Sequence, residues 1–371
     1  MTRHCCGAGH SRGTRLDKSL LNDVVDPVPK APADRLTQPF AYSLRNFFIA
    51  TGLMVALIFG AAWPWAAYGR MWFMDPEWAM WTAKMQIVKE CDQGDTIILG
   101  DSRAMAGLIP ATMGDNVTNL ALGGGTQIEN YYTARRALAC PAPLKRALIS
   151  FLPIDISRNQ VYWERTAQFG FLDFDEMEEV RKTSLRVQDP LIYHDTRVGT
   201  LLDIVRNFSY RISFPPYYTP AMINAHFVGR RGRNEREIDA TLRDRGHHYF
   251  GTSLASNAIA DDAEQRKFTP SPIMMDYLDR VLTLLRDNDA DVYFVTPPLN
   301  PATFEHMSPE VVASFKSLLA AIAKRHPNFH VLGDVVYSRP ADHFGDLEHL
   351  NVKGATAWSE EIKNLLAKAE P

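Results

Sequence analysis

The segment TIILGDSRAMAG, Thr96 to Gly107, ends an apolar run with a glycine, an acid and a serine. A serine hydroxyl is a weak nucleophile unless a base takes its proton as it attacks. That base needs a third group to fix its tautomer and to stabilise the cation it becomes. Near the other end of the chain, FGDLEHLNVKG (Phe344 to Gly354) sets Asp346 and His349 three residues apart. In a helical turn this spacing puts both side chains on one face. The carboxylate can then accept from Nδ1 while Nε2 faces Ser102. A GDS triplet alone is a common strand-to-helix turn, and serine often caps helices. Serine and Asp-x-x-His together, at opposite chain ends and one sheet edge, point to a Ser102–His349–Asp346 triad.

The elements between them must bring these residues together. Strand-like runs are Asp95–Gly100, Asn116–Gly124, Arg146–Asp155, DVYFVTPP from Asp291, and Phe329–Val335. Helical patterns cover Pro76–Glu90, Thr126–Ala139, Pro272–Asn288, Pro309–His326 and a terminal segment with Asn351 as N-cap. Thr126 and Glu129 form a capping-box signature. Strands alternating with helices imply a parallel sheet covered on both faces, a doubly wound α/β fold. In such sheets ligands sit at the carboxyl ends of the strands. Ser102, Gly123 to Gly125 and Asn300 all fall there. Residues 157–270 break the alternation and read as an insertion, a lid or partner surface. Within it FPPYY (Phe214 to Tyr218) is either a sugar platform or a proline-rich loop of packed aromatics. GRRGRNER (Gly229 to Arg236) is either an anion-binding run or a solvated face. His247 and His248 have no metal-spaced partner inside the insertion.

The 371 residues are 46% hydrophobic and 22% charged, which is globular composition. A formal net charge of −3 argues against a nucleic-acid partner. Phe47 to Gly69 holds no charged residue and is long enough to cross a bilayer. Trp63, Trp65 and Tyr68 crowd its C-terminal end as an interfacial belt would. The expected organisation is a polar tail over residues 1–45, an uncleaved membrane anchor over 46–69 and a domain over 70–371. Basic residues are denser before the span than after it. That bias places the N-terminus in the cytoplasm and the domain outside the inner membrane. Cys5 and Cys6 lie in the tail with His4 and His10, in no standard metal-site spacing. Cys91 and Cys140 each precede a strand. If those strands are parallel neighbours, the two cysteines share a sheet edge, and the expectation is a Cys91–Cys140 disulfide.

From Asp95 to Leu366, apart from the insertion, the chain resembles the SGNH (GDSL-like) hydrolase superfamily. The resemblance lies in GDSR (Gly100 to Arg103), NLALGGG (Asn119 to Gly125) and DLEHLNVKG (Asp346 to Gly354). It implies a flavodoxin-like three-layer sandwich with Ser102 as nucleophile, His349 as base and Asp346 as orienter. It implies an oxyanion hole made by the N–H of Ser102 and a glycine N–H, Gly124 or its neighbours Gly123 and Gly125. The family's third block, Gly-x-Asn-Asp, has no counterpart. LPIDIS (Leu152 to Ser157) stands in its place, and Asn300 is the candidate to supply the missing donor. Arg103 is a candidate substrate ligand, with a structural salt bridge as the alternative. The layout is similar to membrane-anchored accessory O-acyltransferases of bacterial surface-polysaccharide modification, such as teichoic acid D-alanyl transfer proteins. It implies a membrane-bound O-acyltransferase as partner, a polysaccharide as acceptor and no cofactor or metal. A non-catalytic scaffold and a carbohydrate or small-ester esterase are the alternatives.

Overall fold

The computed structural model describes residues 43–158, 161–194, 196–225 and 230–369. The tail with His4, Cys5, Cys6 and His10 lies outside the described residues. The chain divides into two units, one ending at Val55 and the other beginning at Ala56. The helix Leu44–Tyr68 is long and apolar enough to cross a membrane. It starts slightly earlier than the apolar run suggests and carries Pro64 within it.

The second unit is an α/β structure. Five parallel strands, β1 (Thr96–Gly100), β2 (Val117–Asn119), β3 (Arg146–Ser150), β4 (Asp291–Val295) and β5 (Phe329–Val331), stand in the order β2-β1-β3-β4-β5. Central strands are buried on both sides, so alternate residues feed two apolar clusters. Ile97, Leu99, Ile149 and Phe294 join one cluster, with Ile128, Tyr132, Tyr277 and Phe315 from helices. Ile98, Leu148, Tyr293 and Val295 join the other, with Met105, Trp358 and Ile362. Each fully buried aliphatic or aromatic side chain contributes about 1.5–3 kcal/mol.

All five expected strands form, but several are shorter than their apolar runs. β2 ends at Asn119 because the Asn119 side chain turns the chain. Its Nδ2 donates to the carbonyls of Ala104 and Leu108 at 2.9 and 2.8 Å, and its Oδ1 accepts from Ala121 N. β3 ends at Ser150 because Pro153 opens the short helix Pro153–Ser157. The helix Pro76–Lys89 is tied to the glycine-bearing loop by Lys84, whose buried Nζ donates to the Ala121 carbonyl.

The insertion is largely helical. It includes Phe174–Arg186, Arg197–Arg211 and Arg230–Arg243. FPPYY is a packed loop, not a sugar platform: Tyr218 is fully buried and accepts from Arg70 at 3.0 Å. In the basic run, Arg231 pairs with Glu235, while Asn234 is buried and donates to the Met71 and Met74 carbonyls.

Thr96 to Gly100 of β1 pair in register with Arg146 to Ser150 of β3. Cys91 and Cys140, just before these neighbouring strands, therefore meet as a disulfide across 49 residues of sequence. Closing a loop of that length restricts the unfolded chain. Replacing both cysteines by serine is expected to remove about 2–4 kcal/mol of stability. A thermal melt with and without reductant checks this, and identical midpoints would show that the bridge contributes nothing.

Candidate active site

The site begins where β1 ends. Gly100 has φ +154°, and a Cβ there would lie 2.6 Å from the Ser150 carbonyl oxygen on β3 and 2.8 Å from the Ala104 Cβ. Only glycine lets the chain turn this tightly against its neighbour. Asp101 then caps the helix Ser102–Gly107, accepting from the N–H of Arg103 at 2.9 Å and of Ala104 at 3.4 Å. Ser102 is the first helical residue. The cap takes the next two N–H groups and leaves the Ser102 N–H without a hydrogen-bond partner among the described residues. Burial raises the Asp101 carboxyl above its usual range.

The predicted triad is assembled. His349 Nε2 lies 2.9 Å from Ser102 Oγ, and His349 Nδ1 lies 2.8 Å from Asp346 Oδ2. Asp346 Oδ1 also accepts the backbone N–H groups of Glu348 at 2.8 Å and His349 at 2.7 Å. Partial burial raises the Asp346 carboxyl, but the hydrogen bonds from His349 and this backbone outweigh it and hold the group below its usual range. Asp346 thus stays ionised where it must orient the imidazole. Phe250, from the insertion, lies with its ring 4.8 Å from that of His349.

These residues open into a cavity of about 320 Å³. Its walls include Ser102, His349, Gly124, Asp155, Glu77 and Arg165. Gly124 has φ +70°, and a Cβ there would strike Arg165 and Val161 at 2.8 Å. The N–H of Gly125 already donates to the Leu122 carbonyl at 2.7 Å. Of the glycines considered, Gly125 is therefore committed, whereas the Gly124 N–H has no partner among the described residues.

Two expectations are corrected. Asn300 is not an oxyanion donor. It is buried, with Nδ2 donating to the Ala258 and Leu347 carbonyls at 2.8 Å each and Oδ1 capping Thr303 N at 2.9 Å. Its amide is used up in holding Leu347, in the middle of the Asp-x-x-His loop. Arg103 is not a free substrate ligand but takes the salt-bridge alternative, with its side chain 5% exposed and held among acids. It contacts Asp262 at 2.5 Å, Glu348 at 3.3 Å and Asp155 at 3.7 Å. Burial would lower this guanidinium, and the four carboxyls Asp262, Asp155, Asp101 and Glu348 raise it instead.

Asp155 stands where the missing asparagine would be. Its Oδ2 accepts the Leu152 N–H at 2.8 Å. Burial, with Asp101 and Asp262 nearby, pushes it well above the usual carboxylate range, which favours the protonated form. A protonated carboxyl has an O–H to donate, as an amide has an N–H. Glu77 and Arg165 were not read from the sequence as site residues. Glu77 pairs with Arg165 at 2.6 Å, and burial pushes its carboxyl up to about 7 despite that partner. Arg165 Nη1 also donates to the Gly123 carbonyl at 2.7 Å. No local motif marks either residue: Glu77 is in the first turn of the helix Pro76–Lys89, and Arg165 is in the π-helical turn Tyr162–Ala167. His247 and His248 brace the serine helix: His247 Nε2 donates to the Ala106 carbonyl at 3.0 Å and the His248 N–H to the Met105 carbonyl at 3.3 Å. Burial lowers His247 to about 4, which keeps it neutral for that bond.

No protein-family model matches the chain, and no curated protein matches it either. The side-chain geometry therefore carries the functional argument.

If Asp155 donates to developing negative charge, Asp155→Asn keeps cleavage of a chromogenic acetyl ester within a few-fold of the parent. Asp155→Ala loses about a hundredfold or more. The parent rate falls as pH rises through the raised Asp155 ionisation, since the O–H is lost there, and Asp155→Asn removes that fall. Equal rates for both variants at every pH would remove Asp155 from the chemistry.

Proposed function

We propose that this protein is a membrane-anchored, extracytoplasmic acyltransferase of the SGNH type that acylates a surface polysaccharide through a Ser102 acyl-enzyme. The observation that carries the reading is the continuous relay from Ser102 Oγ to His349 Nε2 at 2.9 Å and from His349 Nδ1 to Asp346 at 2.8 Å. The fold assignment to a doubly wound SGNH sandwich is supported by the strand order and by Ser102 following the first strand. The disulfide supports an oxidising compartment for the domain. With the apolar helix before it, that favours a single-pass protein with its N-terminus in the cytoplasm.

In the proposed mechanism Ser102 Oγ attacks the carbonyl carbon of an acyl donor as His349 Nε2 takes its proton. The oxyanion is met by the N–H groups of Ser102 and Gly124, with Asp155 a candidate third donor. The leaving group departs with the proton from His349. An acceptor hydroxyl then loses its proton to His349, attacks the acyl-serine and releases Ser102. No cofactor enters these steps. The cavity walls support a hydroxyl-rich acceptor, since most of the residues that line them are charged or polar. An acetyl group and a membrane-bound O-acyltransferase as its source come from the family resemblance.

Ser102→Ala is expected to abolish polymer acylation in cells at unchanged protein level, and to lower ester cleavage by the purified protein at least a thousandfold. Intact acylation in that variant would identify a scaffold. Cleavage without transfer to any glycan, with the acyl-serine seen by mass spectrometry, would identify an esterase.

A further inference from the structure

The helix Arg197–Arg211 is built inside out. Gly199, Asp203 and Asn207 face the domain and are buried. Asp203 accepts from the His194 backbone N–H at 2.7 Å and its Nδ1 at 3.0 Å. Asn207 accepts from Tyr193 at 3.0 Å and donates to Glu178 at 2.7 Å. Between residues 198 and 208, every exposed position is apolar: Val198, Leu201, Leu202, Ile204, Val205 and Phe208. Scattered apolar residues on a surface need no explanation, but a contiguous apolar stripe does. Left in water, these side chains forgo the burial that stabilises apolar groups in a folded protein.

The position of the stripe names its solvent. Trp63 Nε1, in the apolar helix Leu44–Tyr68, donates to the Ile212 carbonyl at 2.6 Å. The rings of Trp63 and Phe59 lie 5.6 and 6.2 Å from that of Phe214. Ile212 and Phe214 directly follow the inside-out helix. Its C-terminal end is therefore held against the last turns of the apolar helix, where a span leaves the bilayer. The stripe carries no charge that would select a protein partner. Arg197 and Arg211 stand at the two ends, where long cationic side chains reach lipid phosphates.

We propose that Arg197–Arg211 lies in the plane of the bilayer surface on the domain's side, with its apolar stripe among the lipid acyl chains. It is a second, interfacial anchor that fixes the orientation of the domain to the membrane. The inference rests on Leu44–Tyr68 spanning a bilayer, and does not depend on the acyl chemistry.

The test uses the full chain with Cys5→Ser and Cys6→Ser, so that only an introduced cysteine takes a nitroxide label. Leu57→Cys reports the span, Leu201→Cys and Val205→Cys the stripe, and Lys324→Cys a water-exposed helix. In vesicles of phosphatidylethanolamine and phosphatidylglycerol, relaxation by oxygen should exceed relaxation by a nickel chelate several-fold at residues 57, 201 and 205. The order should reverse at 324. Labels at 201 and 205 that behave like 324 while 57 reports lipid would overturn the interfacial helix and leave the span standing. Water-like labels at all four sites would overturn both. Stripe labels that are water-like in these vesicles, yet shielded from both reagents in native membranes, would assign the face to a protein partner and overturn the lipid assignment.

Discussion

A buried guanidinium next to the reactive serine constrains the whole site. Arg103 sits one residue after Ser102 and is shut away from water. A buried cation is tolerated only when carboxylates surround it, and removing one partner of such a pair costs about 3–5 kcal/mol. Here the carboxylate partners come from two separate places. Asp262 closes the insertion, and Glu348 lies inside the Asp-x-x-His loop. One charge therefore gathers the serine turn, the insertion and the histidine loop to a single point. The 2.9 Å contact between residues 247 apart in sequence is a consequence of that gathering.

The turn at the end of β1 does two things at once. Gly100 permits the close approach to Ser150, and Asp101 satisfies the N–H groups of Arg103 and Ala104. An N-cap normally serves stability alone. In this helix it also leaves one donor, the Ser102 N–H, unspent beside the hydroxyl. The same economy appears in the histidine loop. Asp346 accepts two backbone N–H groups that hold the loop's shape, and these bonds also keep the carboxylate charged. Folding interactions and the electrostatics of the site are thus the same bonds.

The parts of the molecule that follow local rules were legible in the sequence. Strand runs, the Thr126–Glu129 capping box and the Asn351 cap on Gly354 all form as their residue types imply. The convergence of Ser102, Asp346 and His349 was legible because the spacing is local at each end and the sheet topology supplies the rest. Asn300 was read as a free donor, and Arg103 was left between substrate ligand and salt bridge, for a common reason. A polar side chain near the carboxyl end of a strand looks free in one dimension. Whether it is free depends on distant carbonyls and carboxylates, here Ala258, Leu347 and Asp262, which only the closed fold brings up. Glu77 and Arg165 were missed for the converse reason, since burial and pairing across the cavity single them out. The helix Arg197–Arg211 escaped notice because its apolar spacing is helical, and periodicity does not say which face meets the core.

On the proposed acyltransferase reading, the insertion is where transfer and hydrolysis part. An acyl-serine is open to any nucleophile, so a transferase must favour a bound hydroxyl over water. The β-strand framework supplies the triad, but Arg158, Val161, Arg165, Phe250 and Asp261 on the cavity wall all come from the insertion. Phe250 covers one face of His349, the group through which any acceptor must lose its proton. One stretch of the insertion, Gly251 to Ser253, is held to the histidine loop. The Ser253 N–H donates to the Gly345 carbonyl at 3.1 Å, and Gly251 packs so close to Gly345 that neither position has room for a side chain. The cavity wall is thereby fixed to the loop that carries His349, the base of the proposed reaction. A lid free to swing from one hinge would not keep that relation. This insertion is attached at both the serine turn and the histidine loop, which on the proposed reading would let it select an acceptor without exposing the ester to solvent.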